Sequence, residues 1–236
     1  MTTGGQRWIK HFCVSAHSLI VGFGSTRFTA AYPVDENLIT MHCDRSSARL
    51  YLAYSDNRIT YIDIRTGQTH AFGDFGEPIE RFVSMEDLVI AIDANVSYVF
   101  SEDGDYAEVD ASKDIHKSLA LAYGYTQDRL YYHRLNYDKS GAYIAYVTFD
   151  LQTKQIIEQG RSNSVDTLDF GKLYLSWDST ALLTQKGGHY FNDITMEYES
   201  NAGFDFDQAF WAEFGVFGLK NNEQKRQDRV YESNLW

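Results

Sequence analysis

The chain has 236 residues, of which 44% are hydrophobic, 23% charged and 15% aromatic, with 33 acidic residues against 21 lysines and arginines. Two prolines exclude a proline-rich stalk, and the ordinary apolar content excludes both wholesale disorder and a membrane bundle. A formal net charge of -12 repels phosphate backbones, so nucleic acid is not an expected partner.

At the N-terminus, Met1 to Arg7 has no signal-peptide pattern, and the apolar run Ser18–Phe23 is too short for a leader's hydrophobic region or a membrane span. The expectation is a protein of the cytoplasm, or one assembled inside a cell. Cys13 and Cys43 show neither a CxxC nor a zinc-ligand spacing and read as two thiols rather than one bridge.

Along the chain, alternating apolar segments recur in pairs around Gly-, Asp- or Asn-rich turns. Phe28–Tyr32 turns through Pro33–Asn37 into Leu38–Met41. Tyr61–Ile64 turns through Arg65–Gln68 into Thr69–Phe72. Ser97–Phe100 turns at Ser101–Asp105 into Tyr106–Val109, and Ala145–Phe149 turns at Asp150–Lys154 into Gln155–Glu158. Ala181–Thr184 turns at Gln185–Gly188 into His189–Phe191, and Phe214–Leu219 enters Lys220–Glu223. Turn centres near residues 36, 67, 104, 152, 187 and 222 recur at roughly 37 residues, the length of a four-stranded propeller unit.

A nearly continuous apolar strand precedes most of these hairpins: Leu19–Phe23, Leu50–Tyr54, Leu88–Ile92, Leu130–His133 and Leu173–Trp177. Such strands are covered on both faces, and in a propeller they would be inner strands, sandwiched between neighbouring blades. One such sheet exposes two apolar faces, and stacking sheets around an axis buries each against the next. The expected fold is all-β, a small β-propeller of six blades or five, in a single domain spanning residues 1–236; a two-sheet β-sandwich is the alternative. Asp110–Lys117 reads as a loop. Asp205–Phe214 is the best helix candidate, with Phe206, Ala209, Phe210 and Phe214 on one stripe.

The run from Arg49 to Gly67, RLYLAYSDNRITYIDIRTG, resembles one blade of the quinoprotein-like and YVTN-like propeller repeats, in which a strand ends in Asp and a Thr-Gly turn follows. The resemblance covers about two thirds of the chain loosely and implies a fold, not a function. The WD dipeptide of another propeller class occurs once, at Trp177-Asp178, and does not recur.

The chemistry-bearing motifs are missing. There is no GxSxG elbow, no Walker loop and no HExxH, and the seven histidines are scattered. Asp103, Asp105, Glu108 and Asp110 have the oxygen chemistry of a Ca²⁺ loop without EF-hand spacing, and read instead as a solvated hairpin rim. Asp205 and Asp207 alternate with Phe204 and Phe206 and suggest acids on one face of a strand edge. Lys225, Arg226 and Arg229 form the only tight basic cluster, read as a solvated tail. No catalytic, cofactor-binding or metal-binding residue is assigned, no cofactor is expected, and the residues leave a small-molecule partner open.

The aromatic excess supplies the remaining candidates. Phe210, Trp211, Phe214, Phe217 and Trp236 are the expected contacts for a protein partner. The terminal run Arg229–Glu232 is expected either to pair into the first blade or to dock outside it. The function expected is a non-enzymatic structural or interaction module within a larger protein assembly, such as a virion or tail. The alternatives are a propeller hydrolase or lactonase with axial carboxylates and Ca²⁺, which requires acids from several blades to meet at the axis, and a glycan-binding propeller, which requires similar pockets between blades.

Overall fold

Short runs rich in β-branched and aromatic residues, each closed by Gly, Asp or Asn, form strands of three to eight residues. The computed structural model describes the backbone of residues 9–15, 18–23, 28–33, 35–212, 215–220 and 229–233, apart from 36, 45–46, 86–87, 94, 104, 111–112, 119, 151, 177 and 179; side chains are described between residues 35 and 209.

Among the described residues, six antiparallel sheets follow one another, each a meander of consecutive strands. The first holds β1 (Ile9–Ser15), β2 (Ser18–Phe23) and β3 (Phe28–Pro33). The second holds β4 (Leu38–Asp44), β5 (Arg49–Tyr54), β6 (Arg58–Asp63) and β7 (Thr69–Asp74). The third holds β8 (Arg81–Met85), β9 (Leu88–Ile92), β10 (Ser97–Ser101) and β11 (Tyr106–Glu108). The fourth holds β12 (Leu121–Gly124), β13 (Arg129–Leu135), β14 (Ala142–Phe149) and β15 (Ile156–Arg161). The fifth holds β16 (Leu173–Leu175), β17 (Ala181–Thr184), β18 (His189–Asn192) and β19 (Tyr198–Asn201). The last holds β20 (Gln208–Ala212), β21 (Gly215–Lys220) and β22 (Arg229–Ser233).

The first strands of successive sheets run beside one another, β4 against β8, β8 against β12, β12 against β16 and β16 against β20. That is the arrangement of sheets fanned around an axis with the first strand innermost. Apolar side chains fill the spaces between sheets. Tyr51, Ile59 and Phe72 meet Phe82, Val89 and Phe100 between the second and third sheets. Ile90, Ile92 and Val99 meet Leu130, Tyr132 and Val147 between the third and fourth. Tyr131 and Ile144 meet Leu182 and Phe191 between the fourth and fifth.

This packing also places the apolar runs. Leu50–Tyr54, Leu88–Ile92 and Leu130–His133 lie in β5, β9 and β13, the second strands, sandwiched between neighbouring sheets. A second strand has a neighbouring sheet over each face and a partner strand along each edge, and β9 is buried at every residue. The innermost β4 is mostly half-buried. Leu173–Leu175 does form a first strand, β16.

Three hairpins pair as expected: β6 with β7, β10 with β11 and β14 with β15. Ala181–Thr184 and His189–Phe191 also pair, but as second and third strands. Phe28–Tyr32 and Leu38–Met41 form no hairpin, because β3 and β4 belong to different sheets. Phe214–Leu219 corresponds to β21, whose partner is β22. The helix expected over Asp205–Phe214 is replaced by β20, because pairing with β21 satisfies its backbone and alternation fits the strand as well as the stripe fits a helix. The loop Asp110–Lys117 carries a 3-10 turn at Ile115–Lys117 that buries Ile115. The terminal strand β22 pairs within the last sheet, not the first.

The repeat signature lies in the turn joining third and fourth strands. Asp63, Asp150 and Asn192 each accept, through Oδ1, the N–H groups of the residues two and three positions on. The fifth turn residue, Gly67, Lys154 or Met196, then takes a positive φ of 77°, 60° or 60°. These are Asx turns closed by a left-handed residue.

Candidate functional site

The first strands bring Thr40, Arg81, Phe82, Leu121, Leu173 and Tyr174 around a cavity of about 280 Å³ at the axis, completed by Glu80, Ala120 and Lys172. A hydrolase at this position requires acids from several sheets. Among the described residues that line it there is one carboxylate, Glu80, against the cations Arg81 and Lys172. Arg81 Nη2 also donates to the His116 carbonyl at 2.6 Å. Among the described residues, no three His, Cys, Asp or Glu side chains gather into a metal-binding group.

The acids singled out from the sequence are engaged locally. Asp103 accepts from the Ser101 hydroxyl at 2.5 Å and from the Asp105 N–H at 3.2 Å, and these bonds hold its carboxyl below the ordinary range. Asp110 lies 3.9 Å from Lys113. Asp205 precedes β20 and accepts the Gly187 N–H at 2.8 Å, so Asp205 and Asp207 occupy a connection rather than a strand face.

The strand tyrosines divide as their packing dictates. Tyr51, Tyr54, Tyr61, Tyr131, Tyr132 and Tyr146 are buried. Burial pushes the Tyr132 phenol up to about 12. Tyr98 and Tyr174 are half-buried.

The outer edge of the third sheet is different. β10 places Tyr98 and Phe100 two residues apart on one face, and β11 places Glu108 and Tyr106 directly opposite them. Tyr106 stacks on Phe100 with centroids 5.4 Å apart and meets Tyr98 edge-on at 5.9 Å. Phe75, from the connection after β7, meets both Tyr98 and Phe100 edge-on at 5.4 and 5.2 Å. Phe75 and Phe100 are buried, yet Tyr106 is 64% exposed. The Tyr98 phenol is pushed up, first by desolvation and then by the charges of Glu108, Asp93 and Glu77. A rigid aromatic ladder thus reaches water at a sheet edge, rimmed by carboxylates.

No protein-family model matches the chain, and no curated protein matches it in sequence. Solved structures do match in shape. Hsv2 of Kluyveromyces lactis superimposes with a TM-score of 0.58 at 10% identity, covering 86% of this chain and 68% of its own. A structure from a nidogen/laminin complex superimposes with a TM-score of 0.62 at 10% identity, covering 88% and 83%. With the meandering sheets and adjacent first strands, these neighbours decide the fold.

The chain is a β-propeller.

Of the partner contacts expected in the propeller's C-terminal part, Phe210 and Trp211 fall on β20 and Phe217 on β21, with side chains beyond those described. Phe214 and Trp236 lie outside the described residues. The residue that sequence reasoning missed is Tyr106. Its signal was present in the short alternation Tyr106-Ala107-Glu108 after an acidic turn, which places an aromatic and an acid on one face of a terminal strand.

Proposed function

We propose that this propeller is a non-enzymatic interaction module, one domain that engages a protein partner through the outer edge of its third sheet. The observation that carries the reading is Tyr106, largely exposed yet stacked on the buried Phe100 and meeting Tyr98 edge-on. A pre-ordered aromatic ring loses little conformational freedom on binding, which is why such side chains anchor interfaces. The axial cavity, whose described lining holds one carboxylate beside two cations, supports the same reading over hydrolysis. One structural neighbour comes from a complex of two proteins, nidogen and laminin, a precedent for this fold in protein assembly. The acidic charge and aromatic content suit a structural component of a larger assembly, virion or tail included. The C-terminal aromatics Phe210, Trp211, Phe214, Phe217 and Trp236 are a second contact surface in this proposal.

The test is site-specific photo-crosslinking at position 107 in the native source, followed by mass spectrometry. A defined protein crosslinked to the wild type and lost in Tyr106→Ala is the expected result. A chain that crosslinks to nothing and migrates alone overturns the reading.

A further inference from the structure

The edge of the third sheet also specifies a partner chemistry, an inference that rests on the interaction reading above. β11 ends its sheet. The Ser101 N–H donates to the Asp105 carbonyl and the Val109 N–H to the Ser97 carbonyl, which identifies Asp105 and Val109 as turned inward. Alternation along the ladder then turns the N–H and C=O groups of Tyr106 and Glu108 outward. The two residues that shape the patch therefore also present the open backbone edge.

Carboxylates outnumber cations at this edge: Glu77, Asp93 and Glu108 act on Tyr98, while Lys113 and Lys154 line the groove beside Glu108. Glu77, Asp93 and Glu108 have no ion-pair partner among the described residues. Lys113, which lines a groove with Glu108, is turned to Gln159 at 2.5 Å and to Asp110. The exposed ring of Tyr106 adds the negative face of its π-system, which attracts cations. An anionic segment would be repelled, and an uncharged one would leave the carboxylates uncompensated.

We propose that this edge docks an extended, lysine- or arginine-bearing segment of a protein partner, which adds as a strand to β11 and sets a cationic side chain against Tyr106 within the field of Glu77, Asp93 and Glu108. Main-chain hydrogen bonds to the outward groups of Tyr106 and Glu108 supply the register. The alternate side chains of the segment fall on the aromatic face.

The experiment is fluorescence anisotropy on the full chain with a labelled, end-blocked decapeptide alternating Lys and Val, beside its Glu–Val counterpart. The Lys peptide is expected to bind and the Glu peptide not to. Tyr106→Ala and the double variant Glu77→Gln/Glu108→Gln should each weaken binding about fivefold or more. The equal-charge control Asp166→Asn/Glu197→Gln should leave it within twofold, and N-methylation of alternate peptide residues should abolish it. Unchanged melting temperatures establish that the variants fold. Equal binding of both peptides, no binding of either, or a control variant as weak as the edge variant overturns the proposal. A native partner that crosslinks at position 107 through an acidic or neutral segment overturns it too, while leaving the interaction reading intact.

Discussion

The guanidinium of Arg129 lies 4.0 Å from the centroid of the Tyr146 ring, and two sheets earlier Arg49 lies 4.4 Å from that of Tyr61. The two sites are copies. Each arginine opens a second strand, Tyr51 or Tyr131 follows two residues on, and Tyr61 or Tyr146 stands opposite that tyrosine on the third strand. Each arginine then reaches the outer turn of the next sheet. Arg49 pairs with Glu102 at 3.1 Å, while Arg129 donates to the Asp193 carbonyl at 2.9 Å. Cation, ring and turn are thereby tied across the gap between sheets.

The two copies differ in burial, so they should differ in cost. The Arg129 side chain is 12% exposed, and the fully buried carboxylate of Asp193 depends on its charge. Glu102 is 45% exposed and can return to water. Arg129→Ala should cost about 2–4 kcal/mol and Arg49→Ala about 1–2 kcal/mol. Urea-denaturation midpoints at constant m-value decide this, and equal losses would contradict it.

Asp193 makes a separate prediction. Among the described residues neither of its carboxylate oxygens finds a donor at hydrogen-bonding geometry, and desolvation raises its pKa against the pull of Tyr131 and Arg129. A carboxyl with a raised folded pKa contributes stability that is present below its unfolded value, near 3.8, and lost as pH rises through the folded one. Asp193→Asn should therefore stabilise the protein at pH 7 and bring no gain at pH 3. Melting temperatures of the pair at both pH values are the measurement.

Much of the architecture was legible because two-sided burial leaves a strong mark on composition. Leu88–Ile92 reads as a strand covered on both faces. Its rank in the sheet was not legible, since covered faces identify a middle strand and say nothing of which edge meets the axis. The fifth repeat was read out of phase for a related reason. Gly187-Gly188 marks a turn loudly, whereas the turn equivalent to Gly67 places Met196 in the left-handed position. The edge site was hidden because the acids around it look like any solvated hairpin, and only pairing shows that Tyr106 and Glu108 share a face with Tyr98 and Phe100.

The turn positions can be tested by exchanging residues among copies. Lys154 holds a φ of 60°, where a side chain costs strain and glycine does not. Lys154→Gly should stabilise by about 0.5–1 kcal/mol, less the entropy glycine adds to the unfolded chain. Gly67→Ala should destabilise by about 1 kcal/mol. Met196→Gly should be destabilising despite the same backbone relief, because the Met196 side chain is buried among Phe170, Leu182 and Phe191. Thermal unfolding of the three variants separates backbone from packing, and a loss in Lys154→Gly would contradict the argument.

His133 and His189 flank Phe170, meeting it edge-on at 5.4 and 5.6 Å, and join the fourth sheet to the fifth. Among the described residues, neither His133 Nε2 nor His189 Nδ1 has a hydrogen-bond partner. Desolvation lowers both pKa values, against the opposing charges of Asp169 beside His133 and Asp205 beside His189; Asp169 is itself paired with Lys186. Since the folded values lie below the unfolded one near 6.5, the unfolded chain takes up protons first as pH falls. Stability should be full above pH 6.5 and decline below it, until the folded histidines also titrate. His133→Gln with His189→Gln should flatten the melting temperature between pH 7 and pH 5 relative to the wild type. Parallel wild-type and variant curves across that interval would show that the two imidazoles are not the source of the decline.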